Sequence, residues 1–254
     1  MFELMMNGVG DAFSRIHWGT SFLLRRDGFV LAVDCPDSYR RALLENGFPK
    51  EDGEPIDVGD IDAMILTHLH GDHVNGLEMV ACFKRFAFGA PLTLYTSPEA
   101  EADLWERRLQ ASLGVLYDGT DWVPQRREDF LDVTVMEWGE PIQIGPFTIT
   151  TRPTVHHLKA TAMRITDGES TLGYSCDTAF DPELIDWLSD ADLILHETSM
   201  GPAHTPIDKL AGLDASIRDK MLIGHYPDAF AGTEIGGLTL AIQGQTYDVG
   251  GQNH

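Results

Sequence analysis

The chain has 254 residues, 43% of them hydrophobic, which is enough to bury the core of one large globular domain or two small ones. Its formal net charge of −22 disfavours a nucleic-acid partner, because that affinity depends on Lys and Arg side chains that neutralise phosphates. The same acidity disfavours adhesion to an anionic membrane surface.

The first half of the chain is predicted to contain strands with helices between them. A short apolar run at 2–6 stops at the glycine-rich turn NGVGD, and residues 20–34 are typical of two strands around the turn RDG. Further along, the pattern predicts strands over 62–68 and 91–97 and helices over 38–47, 74–86 and 98–114.

Residues 114–140 mix turn signals, aromatic side chains and charges, and we expect a lid or insertion there. The second half is predicted to form strands over 141–145, 147–155, 160–167, 170–177, 192–197, 220–226 and 238–249, with helices over 181–191 and 206–213. No linker divides the chain, so we expect one domain over 1–254. This order predicts an α/β protein in which two sheets carry helices on their outer faces.

Side chains that can bind metal follow the predicted buried strands. The segment THLHGDH comes first, and later strands lead into His156, His157, Asp177, His196 and His225. Residues two apart at a strand end point the same way, so His68 and His70 can share one cation. The turn at Gly71 then directs Asp72 and His73 to a second cation. Two ions about 3.5–4 Å apart would activate water and polarise a phosphoryl or carbonyl oxygen.

This series resembles the H-x-H-x-D-H signature of the metallo-β-lactamase superfamily, and the later residues follow in that superfamily's order over nearly the whole chain. The resemblance implies a metallo-β-lactamase-like four-layer αβ/βα sandwich that binds two divalent metal ions. Zinc is the first candidate, with iron or manganese as alternatives. By the resemblance, one ion belongs to His68, His70 and His156, the other to Asp72, His73 and His225, and Asp177 bridges them.

The adjacent pair of histidines leaves a choice of ligand. Arg164 lies eight residues after His156, which matches the register of tRNase Z-like members and favours His156 as the ligand. His157 would then support a ligand or line the substrate pocket. Asp34 resembles the aspartate of the DCG-type segment of the superfamily, although the segment reads DCP here, and it is expected to have a supporting role.

The segment LILHETS resembles the HEAT motif of tRNase Z and of related small phosphodiesterases. The resemblance implies that His196 is catalytic and assists the leaving group, with Glu197 as its orienting partner. Asp72 is either a ligand alone or a ligand that also takes a proton from the attacking water. By similar likeness, Arg15 and His17 in the first loop and His204 in the segment AHTP are expected to bind substrate.

The resemblance has limits that narrow the function. Only residues 157–176 separate His156 from Asp177, so the long arm with which tRNase Z grips tRNA is missing there. The leading hypothesis is a metal-dependent phosphodiesterase for a small phosphodiester, cyclic ones included. The alternatives are a lactone, ester or thioester hydrolase on the same site, and a non-catalytic metal-binding sensor.

The cysteines and the hydrophobicity pattern of the chain predict its cellular compartment and its partners. Three separated cysteines, Cys35, Cys82 and Cys176, do not form a disulfide framework and favour a reducing compartment. No signal peptide is recognisable, and no run of about 18 apolar residues predicts a membrane span. We therefore expect a cytoplasmic protein with a small-molecule substrate, without nucleic acid or membrane as partner. A homodimer is an open alternative to a monomer, by analogy with relatives.

Overall fold

The computed structural model describes residues 1–50 and 52–251, and within them two seven-stranded sheets dominate. The first sheet contains, in spatial order, β16 (Thr246–Val249), β1 (Phe2–Gly8), β2 (Ser21–Arg26), β3 (Phe29–Val33), β4 (Ala63–Leu66), β5 (Leu92–Thr96) and β8 (Leu131–Val135). The second contains β15 (Thr239–Leu240), β14 (Met221–Gly224), β13 (Leu193–Glu197), β12 (Thr171–Tyr174), β11 (Thr161–Thr166), β10 (Phe147–Pro153) and β9 (Ile142–Ile144).

Each sheet is antiparallel on one side and parallel on the other. In the first sheet, β16 to β3 pair antiparallel, whereas β3, β4, β5 and β8 pair parallel. In the second, β9 to β12 pair antiparallel, whereas β12, β13, β14 and β15 pair parallel. The carboxyl ends of parallel strands lie at the same edge of a sheet, so the loops after β4, β12, β13 and β14 are where a site is expected.

Apolar side chains from both sheets form one buried cluster, to which Phe22 and Ile65 contribute from the first sheet and Met163 and Ile194 from the second. A second cluster joins the other face of the first sheet to two helices, α1 (Tyr39–Asn46) and α3 (Leu77–Phe88). On the second sheet, α6 (Pro182–Leu188) buries its leucines. This helix–sheet–sheet–helix order confirms the predicted four-layer αβ/βα sandwich.

The remaining helices are short and lie mostly in the connections. They are α2 (Gly71–Val74), α4 (Pro98–Asp103), α5 (Gln110–Leu113), α7 (Ile207–Ala211) and α8 (Ala215–Arg218), with 3₁₀ turns at Val58–Asp60, Arg127–Asp129 and Asp228–Phe230. A π-helical turn, Leu104–Leu109, joins α4 to α5. No helix within the described parts of the chain is long and apolar enough to cross a membrane.

The predicted insertion at 114–140 contains two different structures. Its first part is an exposed hairpin of β6 (Val115–Tyr117) and β7 (Trp122–Pro124), which pairs with neither large sheet. Its second part contains β8, which is an edge strand of the first sheet, with Leu131 buried. The prediction of one insertion over 114–140 is therefore wrong for β8, whose alternating Leu and Val residues pack against the core.

The tail predicted as one strand over 238–249 is two strands in different sheets. The first, β15, completes the second sheet, and β16 completes the first. The chain turns between them at Gly244, which has a φ of 79°. Glycine suits this position because a side chain at positive φ would be strained.

Candidate functional site

A cavity of about 580 Å³ lies where the loops after the parallel strands of both sheets meet. Its polar lining includes His70, Asp72, His156, Asp177 and His225. The predicted metal-binding segment follows β4, Asp177 follows β12, and His225 follows β14. The two sheets thus contribute to one site, which neither could form alone.

The first group of converging side chains consists of His68, His70, His156 and Asp177, whose ligand atoms lie within 4.8 Å of one another. His70 Nδ1 lies 3.1 Å from His68 Nε2 and 3.0 Å from His156 Nε2. One Asp177 oxygen lies 3.7 Å from His156 Nε2 and 3.9 Å from His68 Nε2. Three ring nitrogens and a carboxylate oxygen around one point are a donor set that suits a zinc-like cation.

The second group consists of Asp72, His73, Asp177 and His225, again with ligand atoms within 4.8 Å of one another. His225 Nε2 lies 3.2 Å from an Asp72 oxygen, and His73 Nε2 lies 3.6 Å from the same oxygen. The second oxygen of Asp177 lies 3.4 Å from His73 Nε2. Asp177 is therefore common to both groups, as a bridging carboxylate would be.

The polar atoms of this cluster fit two bound cations. His73 Nε2 and Asp177 Oδ1 are buried and have no hydrogen-bond partner among the described residues. Burial of an unpaired polar atom is costly, and a cation between these two atoms would satisfy both. Five imidazoles and two carboxylates, counted over the two groups, match the preferences of divalent zinc, iron or manganese.

The charge balance of the cluster points the same way. Burial opposes ionisation of Asp177, but the neighbouring His225 and His73 hold the pKa of its carboxyl well below the usual value. Burial also opposes protonation of His73, yet Asp177 and Asp34 raise the pKa of this imidazole well above its usual value. The carboxylates thus attract positive charge into the cluster, and divalent ions would compete with protons for it.

Groups behind the cluster fix the orientation of three of its histidines. Asp34 accepts a hydrogen bond of 2.8 Å from His73 Nδ1, and Thr67 Oγ1 lies 3.0 Å from His68 Nδ1. His156 Nδ1 donates to the carbonyl of Ala203 at 2.8 Å. Such outer partners set the tautomer and direction of a metal-binding imidazole.

The structure distinguishes between the adjacent histidines. His156 points its Nε2 into the first group, whereas His157 is exposed at the rim of the cavity. The ring of His157 lies 6.2 Å from that of His70 and takes no part in either group. His157 thus borders the cavity, where a substrate contact is available to it.

The geometry contradicts the predicted catalytic role of His196. Its side chain is only 1% exposed, its Nδ1 donates to the Glu197 carbonyl at 2.7 Å, and it does not line the cavity. Burial lowers the pKa of His196 to about 4, so the ring is neutral at physiological pH. Successive residues of a strand point to opposite faces, and on β13 it is Glu197 that faces the site.

Glu197 and His204, in contrast to His196, form a pair at the cavity. His204 Nδ1 lies 3.0 Å from Glu197 Oε1, which also accepts a 2.8 Å hydrogen bond from the Thr178 amide. His204 lines the cavity and stacks on His225, with ring centroids 5.5 Å apart. Burial and the charge of Asp177 raise the pKa of Glu197 well above its usual value. The motif HETS contains Glu197, whereas its partner His204 lies outside the motif.

Arg15 and His17, which were predicted to bind substrate, do not line the cavity within the described residues. The Arg15 amide donates to Asp228 at 2.9 Å and its side chain is exposed, while His17 borders a separate pocket. The same loop presents Asp11 and Phe13 to the cavity instead. The loop therefore borders the cavity, as expected, but through Asp11 and Phe13, while Arg15 and His17 lie outside the cavity lining.

Comparison with known proteins identifies the family. The model of the family "Anti-Pycsar protein Apyc1" matches residues 2–247 of this chain. The anti-Pycsar protein Apyc1 of Paenibacillus sp. (strain J14) is 31% identical over 235 residues, which cover 89% of each chain. The protein of the same name from Bacillus phage 010DV004 is 29% identical over 96% of this chain and 97% of its own.

Solved structures agree on the fold. YhfI from Bacillus subtilis, a metallo-β-lactamase-fold protein, superimposes with a TM-score of 0.76 at 20% identity, over 97% of this chain and 98% of its own. A diphosphatase of the PhnP family reaches 0.71 at 18% identity over 97% and 96%. Zinc-bound PqqB from Methylobacterium extorquens reaches 0.69 at 17% identity over 97% and 100%. The chain has the metallo-β-lactamase fold and belongs to the anti-Pycsar protein Apyc1 family.

Proposed function

We propose that this protein is a metal-dependent phosphodiesterase that cleaves small phosphodiesters, cyclic ones included. The observation that carries the proposal is that two features meet at one cavity. One is the two ligand groups, which have Asp177 in common, and the other is the pair of buried Glu197 and cavity-lining His204. The first feature supports metal-dependent hydrolysis. The second supports a leaving group that needs a proton, as an alkoxide expelled from phosphorus does.

Each residue of the cluster has a role in this proposal. His68, His70 and His156 would hold one divalent ion, Asp72, His73 and His225 the other, and Asp177 would contact both. Two such ions would supply an activated water molecule and offset the negative charge of the phosphoryl group. Zinc is the first candidate, since imidazole and carboxylate donors in this number suit it.

His204 is the proton donor in the proposed reaction. As an imidazolium, it keeps its Nδ1 proton in the hydrogen bond to Glu197 and can release its Nε2 proton into the cavity. A water oxygen forms a bond to phosphorus, the bond from phosphorus to the leaving oxygen breaks, and that oxygen takes the His204 proton. Asp72, whose pKa is lowered by His225 and His73 against the effect of burial, is ionised and can accept the proton of the water.

The size of the cavity and one related protein favour a small phosphorus substrate. A volume of about 580 Å³ suits a small molecule rather than a folded nucleic acid. One protein of the same fold is a diphosphatase by name, which favours phosphorus over carbon chemistry. Hydrolysis of a lactone, ester or thioester would use the same ions but would depend less on His204 when the leaving group is a thiolate.

The test is a substrate screen of the metal-loaded protein. Bis(p-nitrophenyl) phosphate and cyclic phosphodiesters are compared with lactone and thioester panels, and the metal content is measured on the same samples. Turnover of phosphodiesters alone supports the proposal. Turnover of lactones or thioesters without phosphodiesters would replace it, and bound metal without any turnover would point to a sensor.

A further inference from the structure

Within the described residues, the His70 ring lacks the hydrogen bond to a group outside the cluster that three neighbouring histidines have. His68, His73 and His156 each contact a group behind the cluster through Nδ1. The hydrogen-bond contacts of the His70 ring, over 1–50 and 52–251, are His68 and His156 alone. Its direction therefore depends on the backbone that carries it.

Arg108 holds that backbone on both sides of His70. Its Nη1 donates to the carbonyl of Leu69 at 3.2 Å, and its Nη2 donates to the side-chain oxygen of Asn75. The Asn75 amide in turn donates to the Gly71 carbonyl at 2.9 Å. A Cβ placed on Gly71 would lie 2.9 Å from the Asn75 side chain, so these two residues are in close contact.

The π-helical turn explains why Arg108 reaches this loop. Leu104 and Leu109 are both buried although they are five residues apart, which in an α-helix would place them about 140° from each other. The Gln110 amide donates to the Trp105 carbonyl, five residues back, and this wider turn brings both leucines to the core side. Arg108 is then half-buried beside Leu109, with its guanidinium at the metal-binding loop.

We propose that Arg108 is a positioning residue for His70, which it acts on by bridging the Leu69 carbonyl and the Asn75 side chain. A planar guanidinium with parallel N–H groups can hold two acceptors at fixed separation. Arg108 thus restrains the direction of the His70 ring indirectly, through the backbone. The other histidines are restrained directly, by hydrogen bonds of their rings with Asp34, Thr67 and Ala203. The inference rests on the proposed metal site but not on the identity of the substrate.

The test compares Arg108→Ala and Arg108→Lys with Arg107→Ala. Arg107 is the matched control, since it is next in the same helical turn and largely exposed, and its ion-pair partner in the described part of the chain is Asp103, four residues earlier. Zinc affinity at each of the two sites is measured by chelator competition. Hydrogen exchange of peptides over 67–75 is measured on the metal-free proteins, and thermal unfolding reports whether each variant folds.

We expect Arg108→Ala to lower the zinc affinity of the site that contains His70 by about 10- to 100-fold, as is usual for loss of an outer partner of a metal ligand. The ion at Asp72, His73 and His225 should change little, because Asp34, which lies outside this segment, still holds His73. Hydrogen exchange over 67–75 should accelerate. Arg108→Lys should fold normally yet recover only part of the affinity, because an ammonium cannot bridge both acceptors in the same geometry.

Several results would overturn the inference. They are equal weakening of both ions, wild-type affinity in Arg108→Ala, full recovery in Arg108→Lys, and an equal loss in Arg107→Ala. The exchange measurement needs no metal, so unchanged protection over 67–75 in Arg108→Ala would also overturn it. A wild-type protein that binds two ions but cleaves no phosphodiester would refute the proposed function and leave the role of Arg108 standing.

Discussion

At the scale of single residues, the proposed proton donor is the sharpest point to test. Substitution His204→Ala should lower kcat for a diester with an alkoxide leaving group by about 100- to 10,000-fold, the usual contribution of a general acid. The loss should be much smaller with a p-nitrophenolate leaving group, which departs without a proton. Steady-state kinetics on both substrates separate the two cases.

His157→Ala is the matched control for this substitution, because His157 also lines the cavity but has no contact with Glu197. It should retain most of kcat with either leaving group. If His204→Ala loses activity equally on both substrates, His204 acts in binding or metal positioning, and the proton must come from elsewhere.

The second prediction concerns the effect of His196 on stability and not on catalysis. Its pKa is lowered to about 4 by burial, whereas the unfolded chain binds a proton near pH 6.5. Because the folded protein keeps His196 neutral, the contribution of this residue to the unfolding free energy is complete above about pH 6.5. It is lost as the pH falls towards about 4. The difference corresponds to about 3 kcal/mol of unfolding free energy at the acid end.

The variant His196→Asn keeps a side-chain N–H but cannot titrate. Between about pH 7 and pH 4, the metal-free wild type should lose about 3 kcal/mol more unfolding free energy than this variant, measured with urea. The exposed control His157→Asn should follow the wild type. Parallel pH profiles for wild type and His196→Asn would show that His196 is not buried as described.

His196 and Glu197 show which features of the site could not be predicted from the sequence. The segment HETS carries Glu197, which contacts His204 at the cavity, whereas His196, to which catalysis was assigned, is buried away from the cavity. Every residue of β13 is buried, so the strand carries no alternation of polar and apolar residues that would tell its two faces apart. Only the packed structure reveals that Glu197, not His196, meets the second histidine, His204.

At the scale of elements, the metal-binding segment was predictable because the signal is local. The buried strand β4 ends in THLHGDH, and spacing alone brings its side chains together. The support from Arg108 was not predictable, because it depends on a π-helical turn. Leucines five residues apart fit neither the helical nor the strand period, and the tertiary contacts of Leu104 and Leu109 decide the geometry.

The hairpin β6–β7 gives the third prediction. Its residues are largely exposed, and the Gln125 amide donates to the Gly114 carbonyl at 2.8 Å, so the chain ends that carry it are already adjacent. Replacement of residues 115–124 by two glycines should therefore leave the zinc content unchanged. The unfolding midpoint should stay within a few degrees of wild type, because little apolar surface is lost.

Substrate profile and oligomeric state of the shortened protein then become informative. Exposed Tyr117 and Trp122 lie on this hairpin, and a homodimer remains a prediction for the chain. A large fall in the unfolding midpoint of the dilute, metal-loaded protein would show that the hairpin is part of the folded core. Equal replacement of the edge strand β8, which belongs to the first sheet and buries Leu131, should, in contrast, prevent folding.

At the scale of the whole molecule, the site depends on the packing of the two sheets. His68, His70, Asp72 and His73 come from the first sheet, and the remaining ligand candidates come from the second. Ions bound between the sheets would bind the folded chain and not the unfolded one, which links metal affinity to stability. From the sequence, each candidate ligand was expected directly after a buried strand, and the superfamily resemblance implied that the ligands meet between the two sheets.

The net charge of −22 leads to the fourth prediction. At about 0.01 M salt the Debye length is about 30 Å, so an anionic phosphodiester is repelled by the charge of the entire molecule. At about 0.15 M it is about 8 Å, and only the charges and ions near the cavity still act. We expect kcat/KM for an anionic diester to rise several-fold over this range, while kcat at saturation stays constant.

A neutral p-nitrophenyl ester, if it is turned over at all, should show no such salt dependence, and metal content must be equal at both ends of the range. The physical reason is that screening removes a long-range repulsion while leaving the short-range attraction of the metal-binding cluster intact. A fall of kcat/KM with salt would instead mean that the positive field at the cavity dominates encounter even at low ionic strength. In that case the acidic surface has no part in the approach of the substrate.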